Sequence, residues 1–295
     1  MKICVIFNPV ARGDKARRLQ SHLHEVAHDA VLKPTTRAGD ARRLAAEAVR
    51  EGFASIVAAG GDGTLNEVLN GIGDAEGFER VRLGVLPMGT TNVFAKELRL
   101  PTEFSAVWPL IQQAKERQID LPWASYASDG GTERRYFAQM AGAGLDSRAV
   151  ELVDWDLKKR FGYLAYVQAA LRAWSGPLPL IEVSNGQDSA AGQLVLIGNG
   201  KFYGGRFSVF PLADLCDGVL EAVIFPRINI ATVARSCWGM VSDDFHSGGQ
   251  TIQFQGSQLQ LKCESRALFH LDGENVGPLP ATFGVRRQAL RVIVP

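Results

Sequence analysis

The chain has 295 residues, 46% of them hydrophobic and 21% charged, which is enough apolar material for a large core and a length that favours two modest domains over one. Its formal net charge of +1 supplies no global attraction to nucleic acid or acidic lipid, so any preference for anions has to be local to a site. The apolar start "MKICVIF" is broken by Asn8-Pro9 too early for a secretory signal, and no run of about eighteen apolar residues follows, so a cytoplasmic protein is expected.

In chain order, "KICVIF" reads as a buried strand and "ARRLQSHLHEVAHDA" as a helix, with Leu19, Leu23, Val26, Ala27 and Ala30 at helical spacing. "VLKPTT" is a weaker strand. Asp40 is expected to cap the helix "ARRLAAEAVREG", which Gly52 would close. The strand "ASIVAA", a glycine cluster, the helix "TLNEVLNGI", the strand "RLGVLP" and a helix from about Thr91 complete a run of βα units, the pattern of a parallel sheet with helices on both faces. Near residue 120 a proline, small polar residues and Gly130-Gly131 mark a boundary. Domains are therefore expected over 1–122 and 123–295, with the final strand able to return to the first. The second region holds the amphipathic helix "KKRFGYLAYVQAALRAW", which could pack on its own domain or meet an anionic membrane, and many short β-like runs parted by Gly, Asn and Asp turns. That texture predicts an antiparallel sandwich or barrel-like domain. Cys4, Cys216, Cys237 and Cys263 form no CxxC pair and read as reduced, mostly buried thiols.

The stretch "AAGGDGTLNEVLNG" places Gly60, Gly61 and Gly63 around Asp62 at a strand end that leads into a helix. Glycine leaves no Cβ in the way of a phosphate, and a helix N-terminus favours one. A second loop of the same character, "LPMGTTNVFA", follows the next strand, and two adjacent strand ends can form one phosphate or nucleotide crevice. This is neither a Walker A loop nor the GxGxxG pattern. Asp62 would repel a bare phosphate but suits Mg²⁺, which joins carboxylates to phosphates. The pairs Asp272-Gly273 and Asp217-Gly218, taken alone, are ordinary hairpin signals with solvated acids. His270, with no metal-ligand spacing around it, reads as packed or solvated.

The ordered set "NPVARGDK", "TTRAGDARRLA", "GGDGTLNEVLNG", "LPMGTTNVFAKEL", "AGAGLDSRAV", "LKKRFGYLAYVQAAL", "IGNGKFYGGRFSVFPLADLCDGVLEAVIF" and "LDGE" resembles the diacylglycerol-kinase catalytic family, which includes bacterial soluble lipid kinases and sphingosine and ceramide kinases. The resemblance implies an α/β nucleotide-binding domain with a parallel sheet, a C-terminal antiparallel β-sandwich-like domain, and an active site in the cleft between them. It also implies transfer of the γ-phosphoryl group of ATP to a lipid hydroxyl, with a diacylglycerol-like acceptor, Mg²⁺, peripheral contact at the inner membrane surface, no nucleic-acid partner, and an oligomeric state left open, a homodimer included. By the same resemblance Asn8, Arg12, Thr35, Gly60, Gly61, Asp62, Gly63, Thr64, Leu65, Asn66 and Thr90 would contact nucleotide, and Asp62 would sit near phosphate and catalytic metal. Glu274 would accept the hydroxyl proton with Asp272 assisting. Asp217, with the backbone carbonyls of Asp214 and Val219, would hold a structural Mg²⁺. One departure stands out: Ala11 and Arg12 occupy the Ser and Gly positions of the family's NPxSG loop, where the Arg12 guanidinium could replace the lost contacts. Two other readings stay open, an NAD or small-polyol kinase using the same GGDGT site and a non-catalytic lipid- or nucleotide-binding regulator.

Overall fold

Five successive apolar residues make Ile3–Phe7 (β1) a strand buried along its whole length. It pairs in parallel with Ala30–Pro34 (β2) on one side and Ser55–Gly60 (β3) on the other. The computed structural model describes residues 2–9, 22, 25–152, 177–205, 207–229, 232 and 251–295. Arg12, Cys237, the helix expected over 158–174 and most of the helix expected after β1 lie outside the described residues. The chain divides into two units, Met1–Leu121 with Arg287–Pro295, and Pro122–Arg286.

In the first unit β3 pairs in parallel with Arg82–Pro87 (β4), which in turn pairs in parallel with the distal part of the long strand Ala281–Ile293 (β18) at Val292. Among the described residues, besides the helical turn at 25–29 that precedes β2, the helices are Asp40–Arg50 (α1), Asp62–Asp74 (α2), Val93–Glu97 (α3) and Phe104–Gln113 (α4). Val5, Val57, Leu86, Trp108, Ile111 and Ile293 form one apolar cluster, so the returning residue Ile293 helps to fill this core. Glu116 ties the returning segment further, bridging Arg82 and, at 2.8 Å, Arg291. These arginines hold its carboxyl below the usual range.

Two local expectations are corrected. Asp40 is the first helical residue of α1, and the cap position falls to Gly39 at φ 84. The Asp40 carboxylate turns back instead to accept the Thr36 N–H at 2.8 Å, the Thr36 hydroxyl at 2.6 Å and the Arg37 N–H at 3.1 Å. The helix expected from about Thr91 starts at Val93 and lasts five residues, because Asn92 takes the left-handed conformation (φ 49) that asparagine tolerates.

The second unit is a pair of antiparallel layers. Glu116–Ser128 (β5) and Gly131–Tyr136 (β6) form a hairpin across the region where the boundary was expected. Within β5 the Pro122 carbonyl accepts the Phe137 N–H at 3.2 Å. Met140–Gly144 (β7) leads directly into the helix Leu145–Leu152 (α5). Ile181–Ser184 (β8), Ser189–Gly192 (β9), Leu194–Gly198 (β10), the two-residue strands Phe202–Tyr203 (β11) and Phe207–Ser208 (β12), Leu220–Phe225 (β13), Ile252–Gly256 (β14), Gln258–Cys263 (β15), Leu268–Leu271 (β16) and Glu274–Pro278 (β17) follow. One layer has the order β14-β13-β10-β7-β16-β17, and the other is built on β18-β15-β8-β9. Val195, Ile197, Ala222 and Phe269 of the first layer pack on Ile181, Val183, Leu261 and Phe283 of the second. The Phe269 and Phe283 rings meet edge to face at 5.3 Å. The parallel α/β unit and the antiparallel sandwich agree with the expected fold class.

Candidate active site

Parallel pairing brings the carboxyl ends of β2, β1, β3 and β4 side by side, and these ends carry Thr35, Asn8, Gly60–Asn66 and the loop with Thr90. Gly60 is the register partner of Pro87, and the Met88 N–H donates to the Gly60 carbonyl at 2.9 Å, so the two glycine loops leave the sheet together. They then touch. A Cβ on Gly61 would stand 3.3 Å from the Gly89 Cα, and a Cβ on Gly89 would press on the Gly61 backbone and come within 2.8 Å of Asn92 Oδ1. Asn92 clips its own loop, accepting the Gly89 N–H at 2.9 Å and donating to the Gly89 carbonyl at 2.7 Å. Asp62 Oδ1 accepts the Val93 N–H at 2.9 Å, so the first residue of α2 caps α3.

The start of a helix such as α2 generally favours an anion. Gly60, Gly61, Asp62, Gly63 and Thr64 are part-exposed and Thr90 is exposed, whereas Leu65 and Asn66 are buried. Leu65 therefore packs in the core and can offer a ligand only backbone. Asn66 accepts from Asn70 Nδ2 at 3.0 Å inside the helix. Thr35 is buried, with its N–H on the Phe7 carbonyl at 2.8 Å. Glu67 was missing from the expected set: its carboxylate accepts the Gly39 and Ala41 amides, each at 3.0 Å, and fixes the Thr35 loop to α2.

In the second unit Asp272 and Glu274 flank the tight turn between β16 and β17, with Asp272 at φ 48 and Gly273 at φ 87. The two carboxylates have different surroundings. Asp272 Oδ2 accepts the Ala138 N–H at 2.7 Å, and Oδ1 accepts the Gln139 and Met140 amides at 3.0 and 3.1 Å. Glu274 is 44% exposed, with the Arg135 guanidinium approaching at 3.7 Å. Asp272 thus anchors the turn while Glu274 is presented to the outside. His270 is packed, and its buried partner Asp146 was missed because no local spacing connects two residues 124 positions apart.

The Asp214–Val219 loop is held by its own acids. Asp214 Oδ1 accepts the Cys216 N–H at 2.9 Å, and Asp217 Oδ1 accepts the Val219 N–H at 3.0 Å. Just beyond it Glu221 is fully buried, with Oε2 accepting the Leu212 N–H at 2.9 Å and Oε1 finding no hydrogen-bond partner among the described residues. Burial pushes this carboxyl up to about 7, and the Asp217 charge adds to the shift. Among the described residues no three His, Cys, Asp or Glu side chains converge as a metal cluster. A cation held by one carboxylate and two backbone carbonyls would not need such a cluster.

Known proteins fit this architecture at both levels. The diacylglycerol kinase catalytic domain matches residues 2–124, and the YegS C-terminal NAD kinase beta sandwich-like domain matches residues 139–294. A Pseudomonas aeruginosa protein named "Probable lipid kinase YegS-like" is 30% identical, with 99% of this chain and 94% of that protein covered. The Bacillus subtilis diacylglycerol kinase is 28% identical, with 99% and 95% covered. Among solved structures, a diacylglycerol kinase from Bacillus anthracis superposes with a TM-score of 0.79 at 23% identity over 100% of this chain and 97% of that one. Yeast NADH kinase shares the fold more loosely, with a TM-score of 0.57 at 9% identity over 100% and 84%. With its paired glycine loops, its sandwich and these relatives, the chain belongs to the diacylglycerol-kinase catalytic family in the form that carries the YegS-type C-terminal domain.

Proposed function

We propose that this protein is an ATP- and Mg²⁺-dependent lipid kinase that transfers the γ-phosphoryl group to the hydroxyl of a diacylglycerol-like lipid. The observation that carries the reading is the division of labour at the Asp272–Glu274 turn: one carboxylate is engaged by three backbone amides, and the other is half-exposed at the tip of the same turn. Phosphoryl transfer asks for a positioned acceptor, neutralised phosphates and a carboxylate within reach of the departing proton. Glu274 takes the hydroxyl proton as the lipid oxygen attacks the γ-phosphorus, and the β–γ bridging oxygen leaves with ADP. Asn8, Thr35, the Gly60–Asn66 segment and Thr90 bind the nucleotide, with Arg12 supplying a guanidinium at the first loop. Mg²⁺, when bound, would neutralise phosphate charge, and Asp62 would be the acid that holds it. Asp217, with the carbonyls of Asp214 and Val219, fits a second, structural Mg²⁺, which would offset the buried Glu221 carboxylate nearby.

A diacyl acceptor implies peripheral contact with a membrane surface. Among the described residues no helix is long and apolar enough to cross one. The NAD-kinase reading has behind it the GGDGT site and a looser fold similarity. The deciding assay is transfer of labelled γ-phosphate from ATP with Mg²⁺ to diacylglycerol, monoacylglycerol, sphingosine, ceramide and phosphatidylglycerol in mixed micelles, with NAD and glycerol alongside and Glu274→Gln as control. Labelled lipid that disappears in the variant is expected. Label in NAD with none in lipid would overturn the reading.

A further inference from the structure

Behind the turn that presents Glu274 lies a buried polar chain. Asp146, near the start of α5, accepts the Tyr203 hydroxyl on Oδ1 at 2.5 Å and faces His270 Nε2 with Oδ2 at 2.6 Å. The other imidazole nitrogen, Nδ1, accepts the Gly273 N–H at 3.3 Å. Because Nδ1 is the acceptor, the imidazole proton stands on Nε2 and points at Asp146, which fixes both tautomer and ring orientation. Space for the pair is made by Gly142 in β7, where any Cβ would collide with the Asp146 carboxylate and the His270 ring.

Burying a carboxylate and an imidazole carries a desolvation cost that an apolar pair of the same volume would avoid. What the pair gains is orientation of the turn. Asp272 is already pinned by three amides, and Gly273 is held by His270. Asn275, on the far side of Glu274, donates to the Ser147 carbonyl at 3.0 Å, and the Ser147 hydroxyl donates to the Leu268 carbonyl at 2.6 Å. The first turn of α5 therefore grips the hairpin at Leu268, His270 and Asn275 and leaves Glu274 as the presented side chain. We infer that His270, oriented by Asp146, is a positioning residue that aims Glu274 by holding the Gly273 amide; this rests on the reading of Glu274 as the proton acceptor.

Two half-isosteres separate orientation from packing. His270→Asn keeps an acceptor where Nδ1 stands and loses the contact with Asp146, whereas His270→Gln keeps a donor for Asp146 and loses the acceptor for Gly273. Each would be assayed for kcat and KM with labelled ATP and diacylglycerol micelles, for Tm, and for amide hydrogen exchange at Gly273. His270→Gln is expected to melt close to the parent, to expose the Gly273 amide to faster exchange, and to lose on the order of a hundred-fold in kcat at unchanged KM, the scale of a misplaced reacting group. His270→Asn is expected to melt lower, to keep the Gly273 amide protected and to recover most of kcat. Parental kcat in His270→Gln, or equal losses of kcat and Tm in both variants, would overturn the inference. If His270→Asn does not fold, the kcat and Gly273 exchange of His270→Gln decide alone. Undiminished turnover in Glu274→Gln would instead remove the proton-acceptor reading, and the Gly273 exchange rates would still report whether His270 holds the turn.

Discussion

Asp62 and Val93 are joined across the ends of two neighbouring strands: the Asp62 carboxylate accepts the Val93 N–H at 2.9 Å, so one acid starts α2 and caps α3. The side chain has a structural task as well as the one proposed for it at the phosphates, and substitutions can separate them.

Asp62→Asn keeps an oxygen for the Val93 amide but removes the charge. Phosphate transfer is expected to fall by on the order of a hundred-fold or more, with stability within about 0.5 kcal/mol of the parent. Asp62→Ala should lose transfer and also about 1 kcal/mol of stability, the usual worth of a cap. Kinase assays and urea titrations of both variants check this, and a Asp62→Asn protein that is active would remove the charge from the mechanism.

Asp272→Ala leaves three part-buried amides without their shared acceptor. A destabilisation on the order of 3 kcal/mol is expected, far beyond that of Glu274→Gln, whose side chain is half-exposed. Denaturant unfolding of the two variants side by side measures the contrast; similar stabilities would show that the three amides find other partners.

Glu221 sets a pH dependence. Its carboxyl is raised by burial from 4.5 to about 7 in the folded chain, so the fold binds its proton more tightly than the unfolded chain does. The contribution is full below pH 4.5 and is lost as the pH rises through about 7. Relative to Glu221→Gln, the parent should lose stability across that window and level off above it. Thermal melts over the pH range test this. Repeating them with Mg²⁺ above the window should raise the parent's Tm but not that of Asp217→Ala.

Gly89→Ala tests the contact between the two glycine loops. The added methyl group would press first on the Gly61 backbone and Asn92 Oδ1, so a loss of about 1–3 kcal/mol is expected. Loosening of the loops should raise the KM for ATP roughly ten-fold, which corresponds to about 1.4 kcal/mol of binding, and leave the KM for lipid unchanged. Initial rates with each substrate varied separately give the answer.

Much of this arrangement was legible in the order of residues because βα periodicity is local: β1, β3 and β4 are apolar runs, and α1 and α2 repeat at helical spacing. The turn at Asp272 was readable for the same reason, since Asp-Gly favours positive φ on both residues. Illegible features depended on partners far away in sequence. Nothing near Asp272 announces that its carboxylate gathers the amides of Ala138, Gln139 and Met140, and nothing near His270 announces Asp146. Asn92 shows a third kind of failure: its left-handed backbone is set by its clip on Gly89, and that displaced the start of α3 by two residues from the position that periodicity suggested.

The pairing of β18 with β4 has a consequence for synthesis on the ribosome. Domains made first generally fold first. Here the first unit has one edge of its sheet, along β4, waiting for residues 287–295, which emerge only after all of Pro122–Arg286 has been translated. Until Val292 arrives beside Leu83 and Arg291 reaches Glu116, that edge is an open template for the wrong strand. A nascent chain stalled anywhere in the second unit therefore carries a first unit that still lacks its closing strand.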